Sequence, residues 1–244
     1  MSLLASWTQR SHSADGYTHD TYRKGSGPGV IVIHEVPGLH PSVIEFGEEL
    51  VEAGYTVLMP SLFGRAEAPY SAWSMVKALP RICISRELTL LATGKTAPLA
   101  GWLRSLAREL HADVGGPGVG ALGMCLTGGF ALAMMVDPAV IAPVLCQPSA
   151  PLPLGDARAG DVNLSPSDVV AVRERTRSGC AVLGLHFAED PLVGTRFETL
   201  RRGLGPSFRE VPLPGKGHST VTEQRSQVAV DAILAFFAER LRGG

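Results

Sequence analysis

Short apolar runs alternate along the chain with longer segments in which apolar residues recur at helical spacing. The runs predict strands at Gly29–His34, Tyr55–Met59, Val119–Leu122, Ile141–Leu145, Cys180–Phe187 and Ser207–Val211. Helices are predicted over Pro41–Ala53, around Ser71–Leu79, and over Ala97–Leu110, Phe130–Val136, Ser167–Arg177 and Gly194–Gly203. This alternation predicts an α/β fold of three layers, α/β/α, with a mainly parallel central sheet.

Local signals predict where some elements begin and end. Pro60 is expected to close the second strand, and Ser165 or Ser167 to cap the charged helix. The sequence Thr220–Glu223 fits a capping box, so the last helix is expected to open there. Its apolar face consists of Val230, Ile233, Leu234, Phe237 and Leu241. The stretch from Pro148 to Pro166 is rich in Pro, Gly and Ala and predicts a loop.

Composition narrows the class of protein. With 244 residues, 45% hydrophobic and 18% charged, residues 1–244 are expected to form one globular domain. A formal net charge of −1 provides no broad attraction to nucleic acid or to an anionic membrane. The apolar start of the chain is too short for a signal peptide, and no apolar run is long enough to span a bilayer. Four cysteines without a CxxC pair favour a reducing cytoplasm.

The segment Gly123–Gly129 is the strongest chemical signal in the chain. It places Cys125 at the apex of a sharp turn between an apolar strand and a helix, as in a nucleophile elbow with Cys in place of Ser. The alternative is a small buried residue, but a helix N-terminus favours the reactive thiolate. The other three cysteines are expected to be structural: Cys83, Cys146 and Cys180.

An acid and a histidine follow later strands. Asp190 comes after the strand that ends at Phe187, and Glu189 beside it is an alternative. His218 lies in the loop before the last helix, whereas the other six histidines lack such a position. The carboxyl ends of parallel strands meet at one edge of a sheet, so the order nucleophile, acid, histidine predicts a Cys125–Asp190–His218 triad.

Glu35 closes the first apolar strand and is expected at the same edge. It could be a surface carboxylate or a cap of the following helix. Alternatively, it lies beside Cys125 and hydrogen-bonds the thiol or acts as its base.

Five segments together resemble the dienelactone hydrolase family of α/β-hydrolases. They are Val32–Leu39, Ala53–Phe63, Gly123–Gly129, Asp190–Val193 and Gly217-His218. The resemblance covers most of the chain and implies the α/β-hydrolase fold and the Cys125–Asp190–His218 triad. It further implies that Glu35 contacts the thiol at rest and helps to activate it.

Other roles follow only from this resemblance. The backbone N–H groups of Val36 and Leu126 would form the oxyanion hole, and Arg81 would bind a substrate carboxylate. Two positions depart from the family pattern. Thr127 stands where the elbow commonly has Gly, and Thr222 stands where the best-known members carry a carboxylate-binding arginine.

The expected activity is hydrolysis of a small ester or lactone through a thioester acyl-enzyme. Cys125 would attack the carbonyl after Glu35 or His218 removes its proton, and His218 would then activate water. No metal and no cofactor are expected, and the partner is a small-molecule substrate of a monomer or homodimer. The alternatives are a thioesterase or acyl transferase of the same fold, and a non-catalytic binding protein.

Overall fold

The computed structural model describes residues 2–71, 73–74, 76, 82, 85–89 and 92–243. The strands are β1 (Thr8–Ala14), β2 (Tyr17–Lys24), β3 (Gly29–Ile33), β4 (Thr56–Ser61), β5 (Val119–Met124), β6 (Val140–Cys146), β7 (Val182–Phe187) and β8 (Phe208–Leu213). The helices are α1 (Pro41–Glu52), α2 (Leu99–Val114), α3 (Gly128–Met134), α4 (Asp156–Ala159), α5 (Pro166–Arg177), α6 (Arg196–Leu204) and α7 (Gln227–Leu241). Two 3₁₀ turns lie at Cys125–Thr127 and Gly205–Ser207.

These strands form one sheet in the order β1-β2-β4-β3-β5-β6-β7-β8. From β4 to β8 the neighbours run parallel, whereas β1 and β2 form an antiparallel hairpin that pairs with β4 at one edge. The mainly parallel sheet expected from the sequence is therefore confirmed.

Two apolar cores cover the two faces of the sheet. Successive side chains of a strand point to opposite faces, so in β3 Ile31 joins one core and Val32 the other. The first core packs the sheet against α2, α3, α5 and α6, and the second packs it against α1 and α7. The result is the predicted three-layer arrangement, in which β3 and β5 are buried along their whole length.

The hairpin of β1 and β2 was not predicted from the sequence. Both strands consist mostly of polar residues and lie at the edge, so they carry no apolar alternation that would indicate a strand. The prediction that Pro60 closes the second strand is wrong, because Pro60 lies inside β4 opposite Thr21 of β2. On its other side β4 pairs with β3 only from Thr56 to Leu58, and a proline is tolerated where one side of a strand has no partner.

The prediction for the start of the last helix is also wrong. Helix α7 begins at Gln227, and the Thr220–Glu223 segment is a turn whose threonine side chains bind other parts of the protein. The cap of α5 is confirmed, since the Ser165 side chain accepts a hydrogen bond from the Asp168 amide. Within the predicted 148–166 loop lies the short helix α4. The helix predicted around Ser71–Leu79 lies largely outside the described residues.

The parallel strands bring the candidate residues to one edge of the sheet. Glu35 follows β3, Cys125 follows β5, Asp190 follows β7 and His218 follows β8. No helix among the described residues is long and apolar enough to cross a membrane.

Candidate active site

Cys125 occupies the sharp turn between β5 and α3, with a backbone φ of 53°, in the left-handed region that non-glycine residues rarely adopt. Two glycines make the turn possible. A Cβ at Gly123 would lie 2.3 Å from the carbonyl oxygen of Thr127, and one at Gly128 would lie 2.7 Å from the Cα of Pro148. The strand, turn and helix predicted around Cys125 are therefore present, and the strain is local to the thiol-bearing residue.

Asp190 and His218 form a close pair. Asp190 Oδ2 lies 2.7 Å from His218 Nδ1, and only 2% of the Asp190 side chain is exposed. The other carboxylate oxygen accepts a hydrogen bond from the Leu192 amide at 3.0 Å, which holds its orientation. Glu189, the alternative acid, is exposed and lies 3.7 Å from Lys216 instead.

The His218 ring is positioned to carry a positive charge. Burial opposes that charge, but hydrogen bonds to Asp190 and Cys125, together with their negative charges, outweigh it and raise the pKa of His218 to about 10. Nδ1 is bound to Asp190, and the buried Nε2 makes no hydrogen bond of ideal geometry with any described residue. Nε2 is therefore the nitrogen available to the thiol, and the raised pKa keeps the His218 ring an imidazolium at neutral pH.

Glu35 is buried at this edge, but the expected contact with the resting thiol is not among the described hydrogen bonds. Its Oε2 accepts from Ser219 Oγ at 3.0 Å and, more weakly, from Gln147 Nε2 at 3.5 Å. Its Oε1 accepts a short hydrogen bond from Thr222 Oγ1 and lies 3.4 Å from His40 Nε2. The carboxylate thus joins the end of β3 to the loop that carries His218.

Sequence reasoning missed His40, which is 1% exposed and lies between two carboxylates. Its Nε2 is 3.4 Å from Glu35 and its Nδ1 is 3.7 Å from Glu223. No spacing pattern along the chain could have indicated this, because Glu223 comes from the far end of the sequence. Ser42 of α1 also donates to Glu223, at 2.6 Å.

The Cys125 thiol has a hydrogen-bond partner that the sequence did not indicate. Ser149 Oγ lies 3.3 Å from Cys125 Sγ, and the Ser149 amide donates to the Cys125 carbonyl at 3.0 Å. The other described cysteines are unsuited to nucleophilic chemistry. Burial raises the pKa of Cys146 to about 12 and also raises the pKa of Cys180.

The two residues expected to form an oxyanion hole, Val36 and Leu126, follow β3 and Cys125. The Val36 amide donates to no acceptor in the part of the chain that the structure describes, and Leu126 opens the turn that leads into α3, where amides lack intrahelical partners. Thr127 ties these two segments together. Its hydroxyl lies 3.0 Å from the His34 carbonyl and 2.9 Å from the Met124 carbonyl, so it bridges the ends of β3 and β5.

A cavity of about 530 Å³ lies beside this edge, lined by residues that include Pro37, Phe63, Arg65, Ile82 and Leu88. Its lining includes Pro37, which follows Val36 in the chain, and none of Cys125, Asp190 or His218. Arg81, the expected carboxylate-binding residue, lies outside the described residues, as does Cys83. No cluster of three or more His, Cys, Asp or Glu side chains suited to a metal ion occurs among the described residues.

The sheet and the strand-end residues define an α/β-hydrolase, and solved structures share this fold. A dienelactone hydrolase from Anabaena variabilis ATCC 29413 is 19% identical, with a TM-score of 0.64, and the match covers 97% of this chain and 100% of that one. A dienelactone hydrolase-like promiscuous phosphotriesterase from metagenomic libraries is 19% identical with a TM-score of 0.62, over 97% and 100% of the two chains. An α/β-hydrolase from Penicillium sp. sh18 is 13% identical with a TM-score of 0.70, over 97% and 99%.

Within this fold, the chain can be assigned to a family. A sequence model of the dienelactone hydrolase family matches residues 15–205, although no curated protein sequence matches the chain significantly. The protein belongs to the dienelactone hydrolase family, and by class it is a carboxylic ester hydrolase.

Proposed function

We propose that the protein hydrolyses a small ester or lactone through a thioester formed on Cys125, with His218 as acid and base and Asp190 as the group that orients it. The observation that carries this proposal is the Asp190–His218 pair, 2.7 Å apart with Asp190 buried, whose second ring nitrogen is left to the thiol.

Acylation begins with attack of the Cys125 sulfur, whose proton has passed to His218, on the substrate carbonyl. The carbonyl electrons move to the oxygen, which accepts hydrogen bonds from the Val36 and Leu126 amides. When the tetrahedral intermediate collapses, the bond to the alcohol oxygen breaks and His218 gives that oxygen its proton. The alcohol leaves and the acyl group stays on Cys125.

Deacylation uses the now neutral His218 as a base. It removes a proton from water, which attacks the thioester carbonyl, and Asp190 stabilises the imidazolium that forms. The C–S bond then breaks, the acid leaves, and the thiolate faces the imidazolium again. His218 gives a proton in acylation and takes one in deacylation, so Glu35 is not needed as a base.

We assign Glu35 to positioning rather than to proton transfer. Both of its oxygens are occupied by donors, and two of these, Ser219 and Thr222, belong to the loop that carries His218. A carboxylate held in this way fixes the loop and so the place of the imidazole ring.

The cavity beside Pro37 supports a small-molecule substrate, since about 530 Å³ lies within the usual size range of ligand pockets. We further propose that residues 1–244 work as one catalytic domain, a monomer or homodimer, in a reducing cytoplasm that keeps the thiol active.

The test is hydrolysis of p-nitrophenyl esters and enol lactones by Cys125→Ala. We expect kcat/KM to fall by about three orders of magnitude or more, because the covalent route is lost. Peptide mass spectrometry of the wild-type protein quenched during turnover should locate the acyl group on Cys125. Cys180→Ala serves as the matched control and should retain activity.

Undiminished turnover by Cys125→Ala would refute the assignment. Product analysis with added alcohols or amines separates hydrolysis from acyl transfer, because a transferase would form the corresponding ester or amide.

A further inference from the structure

Ser149 holds Cys125 at two points, and neither is explained by the triad. Ser149 comes three residues after the end of β6 and is 1% exposed. Its amide donates to the Cys125 carbonyl at 3.0 Å, and its Oγ lies 3.3 Å from Cys125 Sγ. The side chain is therefore directed at the reacting sulfur.

The direction of the side-chain hydrogen bond follows from what surrounds Ser149. The thiol sulfur is the one hydrogen-bond partner of this hydroxyl among the described residues. A buried hydroxyl whose hydrogen has no acceptor costs about 1–3 kcal/mol, so the hydrogen points to the sulfur. Cys125 Sγ then accepts from Ser149 on one side and faces His218 on the other.

The loop that carries Ser149 is held firmly from both sides. Before it, the Gln147 side chain accepts a hydrogen bond from Thr220 Oγ1 at 2.7 Å, and the Gln147 amide donates to the Leu185 carbonyl. After it, the carbonyls of Ala150 and Pro151 accept hydrogen bonds from the buried Arg196 guanidinium. Ser149 is thus preorganised toward the sulfur rather than free to turn away.

We propose that Ser149 is a further catalytic residue, whose hydroxyl stabilises negative charge on Cys125 Sγ before acylation and again when the sulfur leaves during deacylation. The inference rests on the proposed nucleophilic role of Cys125. Ser149 transfers no proton: its O–H bond stays intact, and the hydrogen bond weakens when the sulfur is acylated and forms again when the C–S bond breaks.

Other titratable groups also lie near the sulfur. They are His218, with Asp190 behind it, and Tyr70, whose pKa is raised by burial and by the nearby negative charges of Glu35, Glu223 and Cys125. All of these groups are unchanged in a Ser149 variant. A difference in the midpoint of Cys125 alkylation between the variant and the wild type is therefore caused by the loss of the hydroxyl.

The experiment is alkylation of Cys125 by iodoacetamide as a function of pH, counted on the Cys125 peptide so that the other thiols do not contribute. In Ser149→Ala the midpoint of the rate profile should rise by about one to two pH units, the loss expected for one hydrogen bond to a charged group. Ser149→Thr keeps the hydroxyl and should restore the wild-type midpoint. Pre-steady-state hydrolysis by Ser149→Ala should show deacylation slowed by about tenfold or more.

Thr56→Val is the matched control. It removes a buried hydroxyl that donates to the Gly27 carbonyl at 2.8 Å, far from the thiol, so it should leave the midpoint unchanged. If thermal melting shows that Ser149→Ala does not fold, Ser149→Gly removes the same hydroxyl. A folded variant without the hydroxyl that keeps the wild-type midpoint would overturn the proposal. The alkylation midpoint needs no ester substrate. A failure of the proposed hydrolase function is detected separately, by Cys125→Ala.

Discussion

Glu35 is a buried carboxylate surrounded by two hydroxyls, an amide and one histidine. Ser219 and Thr222 donate to it from the His218 loop, and His40 lies 3.4 Å away. Thr222 occupies the position at which the best-known members of the family carry an arginine, and here its hydroxyl donates to Glu35. These contacts join Glu35 to the loop that carries His218, and none of the described hydrogen bonds of Glu35 goes to the thiol.

This arrangement predicts different effects for two substitutions. His218→Gln should lower kcat/KM by about two to four orders of magnitude, because the acid and base are lost. Glu35→Gln should lower it by about tenfold, because glutamine keeps hydrogen bonds to the loop. The pH profile of kcat/KM should keep its shape in Glu35→Gln, which a lost general base would not allow.

The control for these two variants is Glu189→Gln, an exposed carboxylate one residue before Asp190, which should behave as wild type. If Glu35→Gln loses as much activity as His218→Gln, then Glu35 removes the thiol proton and the assignment to positioning is wrong.

Helix α6 contributes to the site through one buried cation. Arg196 is 1% exposed, and its guanidinium donates to carbonyls of Ala150, Pro151, Arg158, Leu192 and Val193. No carboxylate pairs with it among the described residues, and burial lowers the pKa of Arg196 to about 10, so it stays charged at neutral pH. Arg196 therefore joins the loop after Ser149 to the turn after Asp190.

Arg196→Lys should lower the free energy of unfolding by about 3 kcal/mol, because three ammonium hydrogens cannot serve the carbonyls that the planar guanidinium reaches. Urea unfolding measures the loss. Arg202→Lys, an exposed change on the same helix, should stay within about 0.5 kcal/mol of wild type. Equal stabilities of the two variants would show that the carbonyl contacts do not stabilise the fold.

Element boundaries show how far local patterns are informative. The glycines at 123 and 128 fit the predicted elbow, because a Cβ at Gly123 would collide with Thr127 and one at Gly128 with Pro148, just after β6. The capping-box pattern at Thr220–Glu223 failed, because Thr220 and Thr222 bind Gln147 and Glu35 instead of the amides of a helix. A local sequence pattern fails to predict the structure where a distant residue forms a stronger hydrogen bond.

At the scale of the whole molecule, the stability should depend on pH through a buried histidine at the end of β3. His34 is fully buried, with Nδ1 at 3.0 Å from the Glu35 carbonyl and Nε2 accepting from the Leu62 amide. Burial, only partly offset by the hydrogen bond to Glu35, lowers the pKa of His34 to about 4. The ring is therefore neutral in the folded protein.

Between pH 6.5 and about 4, the unfolded chain binds a proton at His34 that the folded protein does not bind. The contribution of His34 to the free energy of unfolding is fully present above pH 6.5. It is lost as the pH falls toward 4, by up to about 3 kcal/mol. Urea unfolding at a series of pH values measures this slope, and His34→Gln should make it shallower. Identical slopes would rule out His34 as the source. The raised pKa of His218 acts in another window, because its contribution is lost as the pH rises from 6.5 to about 10.

The sequence by itself determined the three-layer α/β fold, the elbow at Cys125 and the order of the proposed triad. These depend on apolar periodicity, glycine at a strained turn and the strand that each residue follows, all of which are local. Only the tertiary structure decided that Ser149 binds the thiol, that Glu35 binds the His218 loop, and that His40 lies between Glu35 and Glu223. Such contacts join residues up to 187 positions apart, as for Glu35 and Thr222, and they arise from the meeting of strand ends at one edge of the sheet. Which polar atoms then pair depends on distances of a few tenths of an ångström, which no periodicity along the chain encodes.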